Sequence, residues 1–157
     1  MNELVKTSLS DLERIANELA ARLAGKVGVE GAARILENFM ASTQKPIKMK
    51  LKIKLIRDYI CAEAIGLFDL KEVSFLTSEV TEYRDARMAC YHLIHSFTDE
   101  SHAKIGESFN RDRDSVGYFL RKCDEILESP HYAGNRGFIN KYDSLKRSAI
   151  GFIATLN

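Results

Sequence analysis

Residues 101–116 read Ser-His-Ala-Lys-Ile-Gly-Glu-Ser-Phe-Asn-Arg-Asp-Arg-Asp-Ser-Val, and they concentrate the unusual chemistry of the chain. That chemistry is recognition. Arg113 carries paired N–H donors that match guanine O6 and N7, and Asp114 can accept from a cytosine amino group. Asp112 or Ser115 can cap the exposed N–H groups where a helix restarts. Ala103, Ile105 and Phe109 have the spacing of an inward face on a short helix, and Asn110 and Arg111 fall at or near a tight turn. A second helix whose first turn carries Arg113 and Asp114 would place them where a recognition helix reaches base edges in the major groove.

Bond-making chemistry finds no comparable constellation. The glycine-bearing segment 25–31 lacks the Gly-x-x-x-x-Gly-Lys-Ser/Thr loop that cradles nucleotide phosphates. His92 and His95 stand three apart beside Cys90, but no second short-spaced Cys/His pair completes a metal set, so one histidine is expected against the core and the other in solvent. The pairs Asp99-Glu100 and Asp124-Glu125 are adjacent in sequence and diverge on a helix, unlike a working acid/base pair. No enzyme activity, catalytic residue, metal or cofactor is expected.

The elements that must position residues 101–116 are helical. Two prolines and nine glycines in 157 residues leave long uninterrupted periodic stretches. Ser10-x-x-Glu13 has the form of a capping box, followed by Leu12, Ile15, Ala16, Leu19 and Leu23 on one face. Ala32, Ile35, Leu36, Phe39 and Met40 form a second amphipathic set, so residues 1–45 are expected to fold as a helical hairpin turning at Gly25–Gly28. The segment 47–55 alternates apolar residues with lysines, which is a strand pattern. No other segment offers it a pairing partner, and Pro46 suits a first helical turn, so a helix over about 46–65 is favoured, with a strand paired across a dimer as the alternative. Further helices are expected over 78–97, with Val80, Tyr83, Arg87, Cys90, Ile94 and Phe97 along one face, and over 112–127, with Val116, Phe119, Leu120, Cys123 and Leu127 inward. After a polar loop over 128–137, a last helix over 138–156 carries Phe138, Tyr142, Leu145, Phe152 and Leu156. The expected fold is all-α, a multi-helix domain containing a helix-turn-helix, divided as 1–45, 46–128 and 129–157, with the last part packed on the same domain.

Two blocks, Ala86-Arg87-Met88-Ala89 and Ser101-x-x-x-Ile105-Gly106-x-x-Phe109-x-Arg111-Asp112 followed by Ser115-Val116 and Arg121-Lys122, resemble the C-terminal duplex-DNA-binding domain of DnaA, the bacterial chromosomal replication initiator. The resemblance covers roughly residues 56–127. It implies a helix-turn-helix in which Arg87, Arg121 and Lys122 lie near phosphates, His102 and Ala103 begin the helix beside the groove, and Arg111, Asp112, Arg113, Asp114 and Ser115 meet bases or backbone. The chain departs from the family at Arg113 and Asp114, where a histidine followed by threonine or serine is usual. It departs again over 76–85, where Glu79, Glu82 and Asp85 replace a basic loop. The family's accompanying ATPase module is absent from this chain, and the family's domain does not share the helix at 138–156.

Charge bounds the partners. The net charge is +1, so no global field favours nucleic acid or membrane, and residues 98–127 hold seven acids against five bases. The positive charge lies in Lys45, Lys48, Lys50, Lys52, Lys54 and Arg57, and more loosely in Arg136, Lys141, Lys146 and Arg147. Folded beside the helix-turn-helix, Lys48, Lys50, Lys52 and Lys54 would supply phosphate contacts. No apolar run approaches about 20 residues and Cys61, Cys90 and Cys123 are odd in number and widely spaced, so a soluble cytoplasmic protein with reduced thiols is expected. Two functions follow: a DNA-binding regulator of replication or transcription, acting as a dimer, or a protein-interaction module that keeps the fold without DNA binding.

Overall fold

A computed structural model describes residues 48–157 continuously and, before them, Arg14, Glu18, Gly25, Gly28, Glu30, Gly31 and Arg34 singly. The chain divides into two compact units, Met1–Pro46 and Ile47–Asn157. The expected hairpin over 1–45 lies outside the described residues, except that Gly25 and Gly28, read as its turn, both lie within helix. Gly28 takes a φ of +77°, which glycine adopts without steric penalty.

The second unit is all-α, with no strand among the described residues. Its helices are α1 (Met49–Leu67), α2 (Thr81–Thr98), α3 (His102–Ser108), α4 (Arg113–Glu128) and α5 (Arg136–Thr155), with 3-10 turns at Glu72–Ser74 and Ala133–Asn135. The alternating lysine segment is the start of α1. Helical winding lines up Ile53, Ile56, Ile60 and Ala64 toward the core, at the cost of leaving Met49 68% and Leu51 50% exposed. A lone strand would have left its backbone groups unpaired, so the helix wins despite those exposed residues.

The central element is α2. Ala86 through Tyr91, Leu93 and Ile94 are all buried, so the helix is enclosed on nearly every side rather than along one stripe. Ala86, Ala89 and Cys90 are small enough for α1, α3, α4 and α5 all to approach it. Of the expected face, Arg87, Cys90 and Ile94 are buried and Tyr83 and Phe97 half-buried, whereas Val80, which precedes the helix, is exposed. Rings fill the space beneath α3, where Phe109 meets Tyr91 edge-on at 4.8 Å and Phe75 at 6.2 Å. Helix α5 packs along α1 in the opposite direction, with Tyr59 stacked on Phe152 at 4.1 Å and Phe68 against Phe138 at 6.5 Å. Among the described residues no helix is long and apolar enough to cross a membrane.

Three helix ends use an Asx residue where glycine is usual; after α2, Asp99 takes a φ of 57° and its N–H donates to His95 O at 3.0 Å. After α1, Asp69 takes a φ of 53° while Leu70 N–H donates to Ile65 O at 2.9 Å. After α3, Asn110 takes a φ of 53° while Arg111 N–H donates to Gly106 O at 2.8 Å. The ends after α1 and α3 are Schellman closures, and short polar side chains tolerate the left-handed conformation better than other non-glycine residues do.

Candidate nucleic-acid interface

Helix α3 begins with Ser101, whose hydroxyl accepts from Lys104 N–H at 3.3 Å. It ends after two turns in the closure at Asn110. Ile105, Gly106 and Phe109 face the core. Ala103, expected inward, is exposed, because a helix this short has one inward stripe and Ile105, Gly106 and Phe109 occupy it. Gly106 sits where the chain doubles back: a Cβ there would lie 2.5 Å from the carbonyl oxygen of Arg111. The turn can therefore close this tightly only around a glycine.

Asp112 caps α4. Its carboxylate accepts from Ser115 N–H at 2.7 Å and from the Ser115 hydroxyl at 2.9 Å, and those bonds hold its carboxyl below the usual carboxylate range. Both residues are thus engaged with each other in starting the helix. Arg111 is half-buried and donates to the Glu79 carboxylate at 2.6 Å and to Leu76 O at 3.3 Å, which lowers the Glu79 pKa as well. Glu79, read from sequence as a lost base of the missing basic loop, is in fact the tie between that loop and the turn. A carboxylate held low in the folded state contributes stability that is present above its unfolded value and is lost as pH falls through the folded one. Asp85 acts with the opposite sign, because burial raises it. The thermal midpoint is expected to drop between about pH 5 and pH 3, and to drop less in Asp112→Asn. Melting curves across that range check it, and an unchanged pH dependence in the variant would remove Asp112 as the acid-sensitive cap.

Arg87 is a correction. Expected beside phosphates, it is 3% exposed and donates through Nη1 to Phe75 O and Ser78 O, both at 2.8 Å, with Glu79 3.7 Å from its other nitrogen. Its place in the densely packed middle of α2 turns it inward, where it anchors the 75–79 segment. His102 is half-buried: its ring meets that of His95 at 5.2 Å, and its Nδ1 lies 3.4 Å from where a Cβ on Gly117 would stand. This is where α3 and α4 cross closely.

The lysine group does not adjoin the start of α4. Met49, Lys52 and Ile53 line a hollow with Phe97, Thr98 and Asp99, at the C-terminal end of α2, whereas Ser115 and Phe119 lie against Arg84, Arg87 and Tyr91 in its N-terminal half. Lys52 bonds Asn157, Lys54 pairs with Asp58 on its own helix, and Lys48 and Lys50 are exposed. In the second basic group, Lys141 of α5 lies 4.9 Å over the ring of Phe68 at the end of α1. The α1 lysines are thus not positioned as a substitute for the missing basic loop at the first turn of α4, although Arg57 of the same group donates to Ser108 Oγ on α3 and Lys141 lies near Asp85.

What remains open on α4 is its outer side. Val116, Leu120 and Cys123 are buried, and burial pushes the Cys123 thiol up to about 12. Arg113, Asp114, Tyr118, Arg121 and Glu125 are exposed, and Lys122 is half-buried near Asp85. The side chains of Arg113 and Asp114 engage no partner among the described residues. Tyr118, 51% exposed, was not singled out from sequence, although its position one turn after Asp114 puts it on the same outer row. The histidines considered as metal ligands are both half-buried: His92 bonds Tyr142 Oη at 2.7 Å and Asp124 at 2.9 Å, and His95 bonds Glu100 O at 2.9 Å. Comparisons of the chain with protein-family models, with curated proteins and with solved structures gave no match.

Proposed function

We propose that the protein is a non-enzymatic duplex-DNA-binding protein that lays α4 in the major groove, in the manner of the DnaA domain that residues 56–127 resemble, and that it acts in the control of replication or transcription. The observation that supports this best is the division of α4: one side is buried against α2 and α3, and the other exposes Arg113, Asp114, Tyr118 and Arg121, whose side-chain polar groups are bonded to nothing among the described residues. A helix held from one side only, with a short helix crossing behind it, can enter a groove about 12 Å wide without moving its supports.

Phosphate contacts are few in this reading. Lys104, Arg113, Arg121 and Lys122 are the cations near α4 that remain once Arg87, Arg111 and Arg84, which lies 5.8 Å over the Phe119 ring, are accounted for. About four phosphate contacts imply an affinity loss on the order of 100-fold between roughly 50 and 200 mM salt. Fluorescence anisotropy with random-sequence duplex at those two salt concentrations tests it.

A second reading has its own support. The internal use of Arg87 and Arg111 leaves the acids Glu107, Asp112 and Asp114 prominent around the turn, and Val73, Leu76 and Val80 are exposed on the loop beside it. That surface suits a protein partner, in the replication or transcription apparatus or in a second copy of the chain. Absence of duplex binding at low salt would favour it over the first.

A further inference from the structure

In the charged run 111–114, Asp114 is the one carboxylate whose side chain has no partner among the described residues. Of the charged run 111–114, Arg111 is tied to Glu79 and Leu76, and Asp112 is tied to Ser115. Arg113 and Asp114 occupy the first two positions of α4, are exposed, and have side chains that engage no partner among the described residues. An arginine on a surface that meets a polyanion needs no special account. An aspartate does, because it approaches the duplex with a charge of the same sign as every phosphate and loses its hydration on contact.

We infer that Asp114 is a specificity-determining residue that admits a G·C pair beneath the first turn of α4, accepting from the cytosine amino group while Arg113 donates to guanine O6 and N7. This rests on the DNA-binding reading above. Edge by edge, the major groove leaves little else for the carboxylate. Thymine O4 and guanine O6 and N7 are acceptors, which repel it. Adenine offers an amino donor but sets its N7 acceptor alongside, whereas cytosine N4 offers a donor with no acceptor beside it on that edge. Arg113 and Asp114 are successive residues about 100° apart around the helix, so their side chains diverge toward neighbouring base edges instead of neutralising each other. The acidity of this surface then acts mainly against wrong sequences: any duplex without cytosine at that position leaves Asp114 unpaired near phosphates.

Selection of bound duplexes from a random-sequence library, with the full chain and with Asp114→Asn and Asp114→Ala, tests this. The wild-type protein is expected to fix one position as cytosine, with roughly tenfold preference over other bases. Asp114→Asn is expected to shift that position toward adenine, because an amide pairs with adenine N6 and N7. Asp114→Ala is expected to bind random duplex more tightly than wild type and to lose preference there. Circular dichroism of both variants should match wild type, since residue 114 is exposed. Unchanged preference in both folded variants would overturn the assignment while leaving DNA binding standing. Failure of the wild-type protein to enrich any duplex, together with no salt-sensitive binding to random sequence, would overturn both.

Discussion

Arg87→Ala is expected to lower the stability of the 47–157 unit by about 3 kcal/mol, or on the order of 15 °C in thermal midpoint, before any effect on a ligand is measured. The guanidinium donates to Phe75 O and Ser78 O from a site 3% exposed, and truncation leaves both carbonyls short of a charged donor. Hydrogen bonds from charged groups contribute about 1.5–3 kcal/mol each and are not additive, which sets the figure. The contact with Glu79, itself 65% exposed, adds little. Arg87→Lys is expected to recover only part of the loss, because the ammonium would have to serve both oxygens that Nη1 now bonds and would give up the approach of Nη2 to Glu79. Thermal melting of the three proteins checks this. An Arg87→Ala protein that melts like wild type but has lost affinity for duplex DNA would mean that the side chain reaches phosphates after all, as the resemblance to DnaA implies.

Gly106→Ala is expected to cost about 2–3 kcal/mol, although alanine is the better helix former by nearly 1 kcal/mol. The added methyl would stand 2.5 Å from Arg111 O, and that oxygen belongs to backbone held from two directions. Arg111 N–H is bonded to Gly106 O at 2.8 Å, and its guanidinium is bonded to Glu79 at 2.6 Å. The turn must therefore open for the methyl to fit, and opening it displaces the first turn of α4. Denaturant unfolding measures the loss. Asn110→Gly serves as a control of the opposite sign, expected to be neutral or stabilising by at most about 1 kcal/mol, since it relieves the left-handed φ at the same turn without adding an atom. If Gly106→Ala were as stable as wild type, the close approach of α3 to the turn would have to be relaxed in solution.

Local signals in the chain were enough to determine that the unit is all-α, that a short helix and a tight turn precede α4, and that Asp112 or Ser115 caps it, of which the structure uses Asp112. Each of these depends on residues a few positions apart: a cap bonding three residues on, an apolar stripe repeating every three or four, an Asx residue closing a helix. Even the ambiguous start of α1 yielded to sequence reasoning, because a strand needs a distant partner and none was available. Tertiary structure alone decided which charges are free. Nothing local distinguishes Arg87, enclosed at the centre of the unit, from Arg113, exposed with its donors open, because the difference is made by α1, α3, α4 and α5 converging on α2 from far along the chain. Glu79 and Arg111, 32 residues apart, become partners only when the 75–79 loop is drawn against the turn. The lysines of α1 end beside residues 97–99 rather than beside α4 because α1 and α2 pack in opposite directions. Periodicity fixes which side of a helix is buried, but long-range packing fixes what each charge meets, and on that depends what surface the protein offers to a partner.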